Sequence, residues 1–444
     1  MSASSSDATP PGAGAAIAGV PAAPEQSGWS RTFSSLSNRH FRVLWTSMLF
    51  SFTAIQMMFV AQGYLTFRIT GSATSLGIIG LGWGIPQLLF TLVGGVAADR
   101  LHKRWLIIVS QSTLAVTSLI TAALIQTGLI EIWHIFVLAL VGGTVFAFNV
   151  PARQAWIPEI VGEEQLMNAV ALNSSAFTAT GIVGPGLAGA LIAIPFVGLT
   201  GSYIVMSVCF AMVVVLLLRV PGGAPDPDRQ HLPPYRALVD GLRYVRGHAT
   251  LPVLLTMGFV AIVLGMPYRQ FFPVFADEVY GVDSVGLGVM GVAMSIGALV
   301  GSLGVASLTE TSRRATIQII GGVGFGVSLV LFAAAPSLLP GMAALVLVGL
   351  AGNGYWALNN TLVLGATDHA YYGRVMSVYM LSWSFQPFVA LPESIIADAI
   401  GIQTMMGCVG ALVAVSLLLV AISHPGYARI RAAEARRVPA ADTL

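Results

Sequence analysis

Long apolar runs recur along nearly the whole chain, separated by short polar breaks. A hydrocarbon core of about 30 Å takes about twenty helical residues to cross. Runs of that length lie near 43–67, 74–98, 105–126, 132–152, 168–193, 199–219, 251–275, 286–308, 315–335, 341–364, 375–398 and 402–422, and each is predicted to span a membrane as a helix. Gly71-Ser72, Pro221-Gly222, Pro336-Ser337 and Pro340-Gly341 mark breaks between them. Charged residues make up 9% of the 444 residues and apolar residues 56%, too little charge to coat a soluble protein of this size. A bilayer removes that difficulty, because the outward surface is then meant to be apolar. The expected fold is an all-α membrane protein of twelve transmembrane helices in two six-helix halves.

The one long break divides the chain. Residues 38–220 form the first half and 251–424 the second, with a linker at 221–250 and a basic cytoplasmic tail at 425–444. The linker opens on Pro, Gly and Asp and continues as a short amphipathic helix around 235–247. Leu238, Leu242 and Val245 share one face of it, and Arg236, Asp240, Arg243 and Arg246 occupy the others, a pattern suited to the cytoplasmic membrane surface. Residues 1–37, rich in Ala, Gly, Ser and Pro, read as a disordered cytoplasmic tail; they lack the basic start and apolar stretch of a secretory signal. Cys209 and Cys408 sit inside apolar runs without metal or CxxC spacing and read as small core residues.

Charge gives direction. With the N-terminus in the cytoplasm and twelve helices threaded, every Lys and Arg except Arg68 and Arg269 falls on the cytoplasmic side. That asymmetry is what the positive-inside rule requires, and a missing helix would scramble it. The halves also echo one another: Gly94, Asp99 and Arg104 match Gly304, Thr309 and Arg314 at the cytoplasmic ends of the second and eighth runs.

The sharpest motif is Gly95-x-x-x-Asp99-Arg100-x-x-Lys103-Arg104. A basic loop obeying the charge rule accounts for the cations. It leaves Asp99 unexplained, since a carboxylate at the membrane edge is costly unless paired. Pro151-Ala152-Arg153-Gln154-Ala155, followed by Pro158 and Asn168-Ala169, is a second signature, and Gly373-Arg374-Val375-Met376-Ser377 is a third. Together they resemble the major facilitator superfamily, in the branch that holds macrolide-efflux and enterobactin-export proteins, over roughly 38–424. The match departs at His102, where the superfamily usually has Gly.

The resemblance implies a conformational gate formed by Gly95, Asp99, Arg100, Lys103, Arg104, Arg153, Gly373 and Arg374. In it Asp99 meets Arg153 and the start of helix 11 when the cytoplasmic side shuts. Gly181, Gly184, Pro185 and Gly189 resemble the helix 5 antiporter motif, although generic packing of small residues serves equally well. Gln56, Asn353, Trp356, Asn360, Trp383 and Gln386 lie at mid-depth and outline a substrate cavity, with interhelical hydrogen bonding as the plainer alternative for each. Glu393 and Arg269 are the charges placed within the outer parts of helices 11 and 7. They read either as an ion-coupling pair or as side chains reaching the interface.

An apolar, aromatic cavity with few charges suits a small amphipathic substrate. The function expected is therefore ion-coupled secondary transport by proton antiport, exporting small amphipathic molecules. Narrow export of a siderophore or lipid-like metabolite is the alternative, as is a transport-inactive receptor or scaffold. Lys103, the sole lysine, follows no phosphate-binding loop, and HExxH and GxSxG are absent, so an enzyme is not expected. The partners expected are the substrate, protons and the lipid bilayer, with no nucleic acid, no metal and no cofactor, for a monomer in the inner membrane.

Overall fold

The computed structural model describes residues 34–224, 234–307 and 313–437. The spans are α1 (Arg39–Thr70), α2 (Ala73–Arg100), α3 (Lys103–Gln126), α4 (Ile132–Val161), α5 (Glu163–Ala193), α6 (Gly198–Leu217), α7 (Leu251–Val279), α8 (Ser284–Ser307), α9 (Arg314–Ala334), α10 (Leu338–Gly365), α11 (Tyr372–Ile400) and α12 (Ile402–Ser423). Among the described residues, all but α11 are long and apolar enough to cross a membrane on composition alone. α11 carries Arg374, Gln386, Glu393 and Asp398 and packs against α2.

Local chemistry sets the ends. Asn38 caps α1, its side-chain oxygen accepting from the amides of His40 (2.9 Å) and Phe41 (3.3 Å). Gly71 ends α1 at φ 59°, a left-handed turn suited to glycine, with its amide on Phe67 O. Several helices are longer than the apolar runs. α4 continues through Pro151 and Pro158 to Val161, because neighbouring helices tolerate proline inside a membrane helix. α7 is not one regular helix. Its turns widen over Ala261–Gly265, tighten over Met266–Phe271 around Pro267, and widen again over Phe275–Val279.

Packing repeats between the halves. α2 packs on α4 and α3 on α6; six helices later α8 packs on α10 and α9 on α12. The halves meet through two pairs, α2 with α11 and α5 with α8. The second half has one apolar core built around Phe271, Phe275, Phe325 and Phe332, and the first has two, one around Trp83 and Phe210 and one around Trp156.

The linker helix, Pro234–Gly247, is docked on protein rather than lying free at a surface. Val245 is buried in the second half's core, and the Tyr244 ring stacks on Tyr371 with centroids 4.1 Å apart. The Tyr244 hydroxyl donates to Asp368 Oδ2 at 2.9 Å. Most of the expected N-terminal tail lies outside the described residues, but Ser34–Ser37 form a short helical turn fixed to α5, where Ser35 N donates to Asn168 Oδ1 at 3.0 Å. The C-terminal segment contains a helix, Pro425–Arg437, whose Tyr427 is fully buried.

Candidate transport path and gates

The contacts joining the halves lie at one end, the end poor in Lys and Arg. Asp398, near the end of α11, accepts from Ser72 Oγ (2.6 Å), Ala73 N (2.8 Å) and Thr74 N (2.9 Å) at the start of α2. Gln270 on α7 donates its amide to Leu76 O. Gly77 of α2 lies directly against Leu391 and Ser394 of α11, where a Cβ would overlap them. In the other pair, Ser295 Oγ of α8 donates to Gly181 O at 2.6 Å, and Pro185 and Gly189 lie against Gly291, Gly288 and Ser284. Three residues of the expected helix 5 motif, Gly181, Pro185 and Gly189, thus form the α5–α8 seam; Gly184 faces α1 at Gln56.

Toward the charge-rich end the same stripes are uncovered. On α5, Met167 is 84% exposed and Ser174 is exposed, although both share a helix face with Pro185. On α8, Ser302, two turns beyond the buried Ser295 and on the same face, is only half-buried. Interface faces that are paired at one end and bare at the other describe two halves closed at one end and parted at the other.

The gate motif is spread over several environments. Lys103 is almost fully buried, with Nζ 2.8 Å from Glu159 of α4, and its amide donates to Gly223 O at 2.7 Å. Arg104 Nη2 donates to Leu218 O at 2.7 Å, beyond the end of α6, and its guanidinium lies 5.6 Å from the Trp105 ring. These two cations tie the first half together, because helix ends present free carbonyls that cations satisfy. Arg100 is exposed and Gly95 half-buried, with open space where a Cβ of residue 95 would stand. Arg153 is 4% exposed, with Nη2 3.4 Å from Ser51 Oγ and its guanidinium 5.6 Å from the Phe52 ring. Its Nε and Nη1 have no hydrogen-bond partner among the described residues. Gly373 is exposed, and Arg374 lies 4.9 Å from the Tyr371 ring, with its carbonyl against Gly241 of the linker helix.

The expected cavity residues fall into two groups. Trp356 and Trp383 are brought together edge to face, 6.3 Å between centroids. Trp356 Nε1 and Asn360 Oδ1 lack hydrogen-bond partners among the described residues, and Asn353 and Gln386 are half-buried. Gln56 stands in the other half, beside Gly181 and Gly184. Asn359, adjacent to Asn360, belongs instead to a buried relay. Gln318 Nε2 donates to Asn359 Oδ1 (2.6 Å), Asn359 Nδ2 to Tyr379 Oη (3.1 Å), and Tyr427 Oη to Gln318 Oε1 (3.1 Å). Sequence reasoning missed this relay. Gln318, an amide one turn inside an apolar run, was the available signal.

Glu393 is 6% exposed, so it does not reach the interface. It faces away from α2, since Pro387, Leu391, Ser394 and Asp398 occupy that side of α11, and its Oε1 has no hydrogen-bond partner among the described residues. The structure does not pair it with Arg269. The tight turns of Met266–Phe271 leave Arg269 exposed and without an ion pair among the described residues.

Twelve helices in two matching halves, joined at one end and parted at the other, define a transporter of the major facilitator type. The family model described as transmembrane secretion effector matches residues 30–439, and the chain belongs to that family. It is similar to the multidrug efflux pump Tap of Mycolicibacterium fortuitum, 27% identical over 355 residues, 78% of this chain and 86% of that one. It is also similar to the enterobactin exporter EntS of Shigella boydii serotype 18, 26% identical over 382 residues, 84% of this chain and 85% of that one. Among solved structures, a bacterial homologue of the human lysosomal transporter Spinster, inward-facing and unoccupied, aligns at TM-score 0.65 with 13% identity, covering 93% of this chain and 99% of that one. A mutant of the nucleoside transporter NupG aligns at TM-score 0.67 with 12% identity, covering 86% and 99%. Both share the fold.

Proposed function

We propose that this protein exports small amphipathic molecules by alternating access in exchange for protons, with both termini and the linker cytoplasmic. The observation that carries the reading is the one-ended closure. Ser72–Asp398 and Gly189–Ser284 seal the charge-poor end while Met167 and Ser174 stand open at the other. The charge bias makes the open end cytoplasmic, so the conformation is inward-open. The Trp356–Trp383 pair, with the unpartnered Trp356 Nε1 and Asn360 Oδ1, supports a ligand that is largely apolar with a few polar groups. The relatives named as a multidrug efflux pump and an enterobactin exporter agree with outward transport. Reconstituted in proteoliposomes, the protein should move an amphipathic dye against its gradient when a pH difference is imposed and not after the difference is collapsed. Transport indifferent to the pH difference would remove proton exchange from the proposal.

The same reading assigns a latch to Asp99 and Arg153 in the opposite, outward-open state. Arg153 is supported in that role by two buried guanidinium nitrogens, Nε and Nη1, that have no partner among the described residues. An unmet buried cation costs free energy that a carboxylate relieves. The start of α11 offers a second favourable site for the anion. Asp99→Asn and Arg153→Ala should each shift the population toward the inward-open state and slow dye export several-fold. The double variant should fall short of the combined effect, because both remove one contact. Wild-type export from Asp99→Asn would show that the motif is only a basic loop.

A further inference from the structure

We infer that Asp398 is the outer-face counterpart of Asp99: a positioning residue that fastens the outer end by capping, from the other half, the start of α2. Two features point to it. First, α2 begins without a cap of its own. Ser72 stands at the N-cap with extended backbone (φ −133°, ψ 129°), yet its side chain caps nothing in α2. Its hydroxyl donates across the boundary to Asp398 Oδ2 (2.6 Å). The carboxylate in turn takes the amides of Ala73 (2.8 Å) and Thr74 (2.9 Å), the first two residues of the helix. Those amides have no partner inside the helix, and the helix dipole favours an anion there. A carboxylate accepting such bonds makes charge-assisted contacts, stronger than neutral ones.

Second, the geometry is paired. α2 and α11 pack antiparallel over the closed-end half of α2, at Ser72, Gly77 and Gly84, with α2 running toward the charge-rich end and α11 away from it. Each carries an aspartate within the last turn: Asp99 just before the end of α2 at Arg100, and Asp398 two residues before the end of α11 at Ile400. Each C-terminal aspartate therefore lies at the end of the pair where its partner helix begins. The contact at Asp398 is made here, at the closed end. When the halves part at that end, Ser72 is placed to accept from its own first-turn amides, as serine does at helix starts, so the latch opens without leaving α2 uncapped.

This rests on the alternating-access reading, and one experiment separates the two. Spin labels are attached at Ile69 and Ile400, exposed positions at the outer ends of α1 and α11, after Cys209 and Cys408 are replaced by alanine. Pulsed dipolar spectroscopy then reports the short and long distances between the outer ends. Asp398→Ala should raise the long-to-short ratio about tenfold, equivalent to about 1.4 kcal/mol. Asp398→Asn, which keeps one acceptor oxygen, should raise it about threefold and serves if the alanine variant does not fold. Gly189→Val, which disrupts the other seam, is the reference. A long-distance population in Gly189→Val with an unchanged distribution in both Asp398 variants would overturn the latch and leave alternating access standing. No movement in any of the three would overturn both.

Discussion

Gly189→Val is expected to lose dye export by more than tenfold and to leave the protein unable to close its outer end. Gly189 sits where α5 crosses α8. A Cβ built there would overlap the Ser284 carbonyl and stand 2.9 Å from Gly288 Cα. Both neighbours are backbone, so no side chain can turn aside to make room. The helices must separate, and overpacking of this kind costs roughly 1–3 kcal/mol. Because about 1.4 kcal/mol is a factor of ten, the closed outer state would fall by roughly one to two orders of magnitude. Gly186→Ala is the control. Its Cβ would meet only the Val292 side chain, at 3.1 Å, and a methyl group can shift by that little. Export should then stay near wild type. The outer-end distance measurement reads the same pair, and wild-type export from the valine variant would show that this seam does not need its glycine.

Glu393→Gln is expected to abolish export driven by a pH difference while sparing exchange of labelled for unlabelled substrate. Glutamine keeps the shape and cannot carry the proton. Glu393 is enclosed in the second half, with one carboxylate oxygen unpartnered and no ion pair among the described residues. A buried carboxylate without a counter-charge is expensive, and taking up a proton removes the charge. A single charge moved across 100 mV is worth roughly 2.3 kcal/mol, enough to drive useful accumulation. Arg269→Ala should leave driven export nearly intact, since Arg269 is exposed and does not touch the carboxylate in this conformation. Driven export at wild-type rate in Glu393→Gln would place coupling elsewhere.

The fold was legible because a bilayer leaves the chain few options. Span length, breaks and the placing of Arg and Lys were enough for twelve helices in two halves. Helix ends were less legible. Pro151 reads as a stop in water, yet α4 runs ten residues past it. The uneven turns of α7 left no mark in a hydropathy pattern, because its prolines lie among residues as apolar as any other span. In the site, aromatic and amide residues stood out within apolar runs, but which face each one takes depends on packing. Asn359 and Asn360 are adjacent, and only Asn359 enters the buried relay. Lys103 shows the same limit: its place in a basic motif pointed to the gate, while its carboxylate partner, Glu159, lies far away in sequence. Asp398 escaped notice because an acidic residue at a helix end is ordinary until the facing helix start is known.

The linker sets a further bound through simple length. It is held to the first half at Gly223, which accepts from the Lys103 amide, and to the second where Tyr244 grips Asp368 and Tyr371. Between Ala224 and the helix that begins at Pro234 runs a short stretch of chain whose full extension is about 35 Å. The connection is therefore a leash with two fixed knots. While both hold, the separation of those two points at the charge-rich end has an upper bound set by contour length. Lengthening that stretch raises this bound and shortening it lowers it, without touching Trp356, Trp383 or any other residue between the halves.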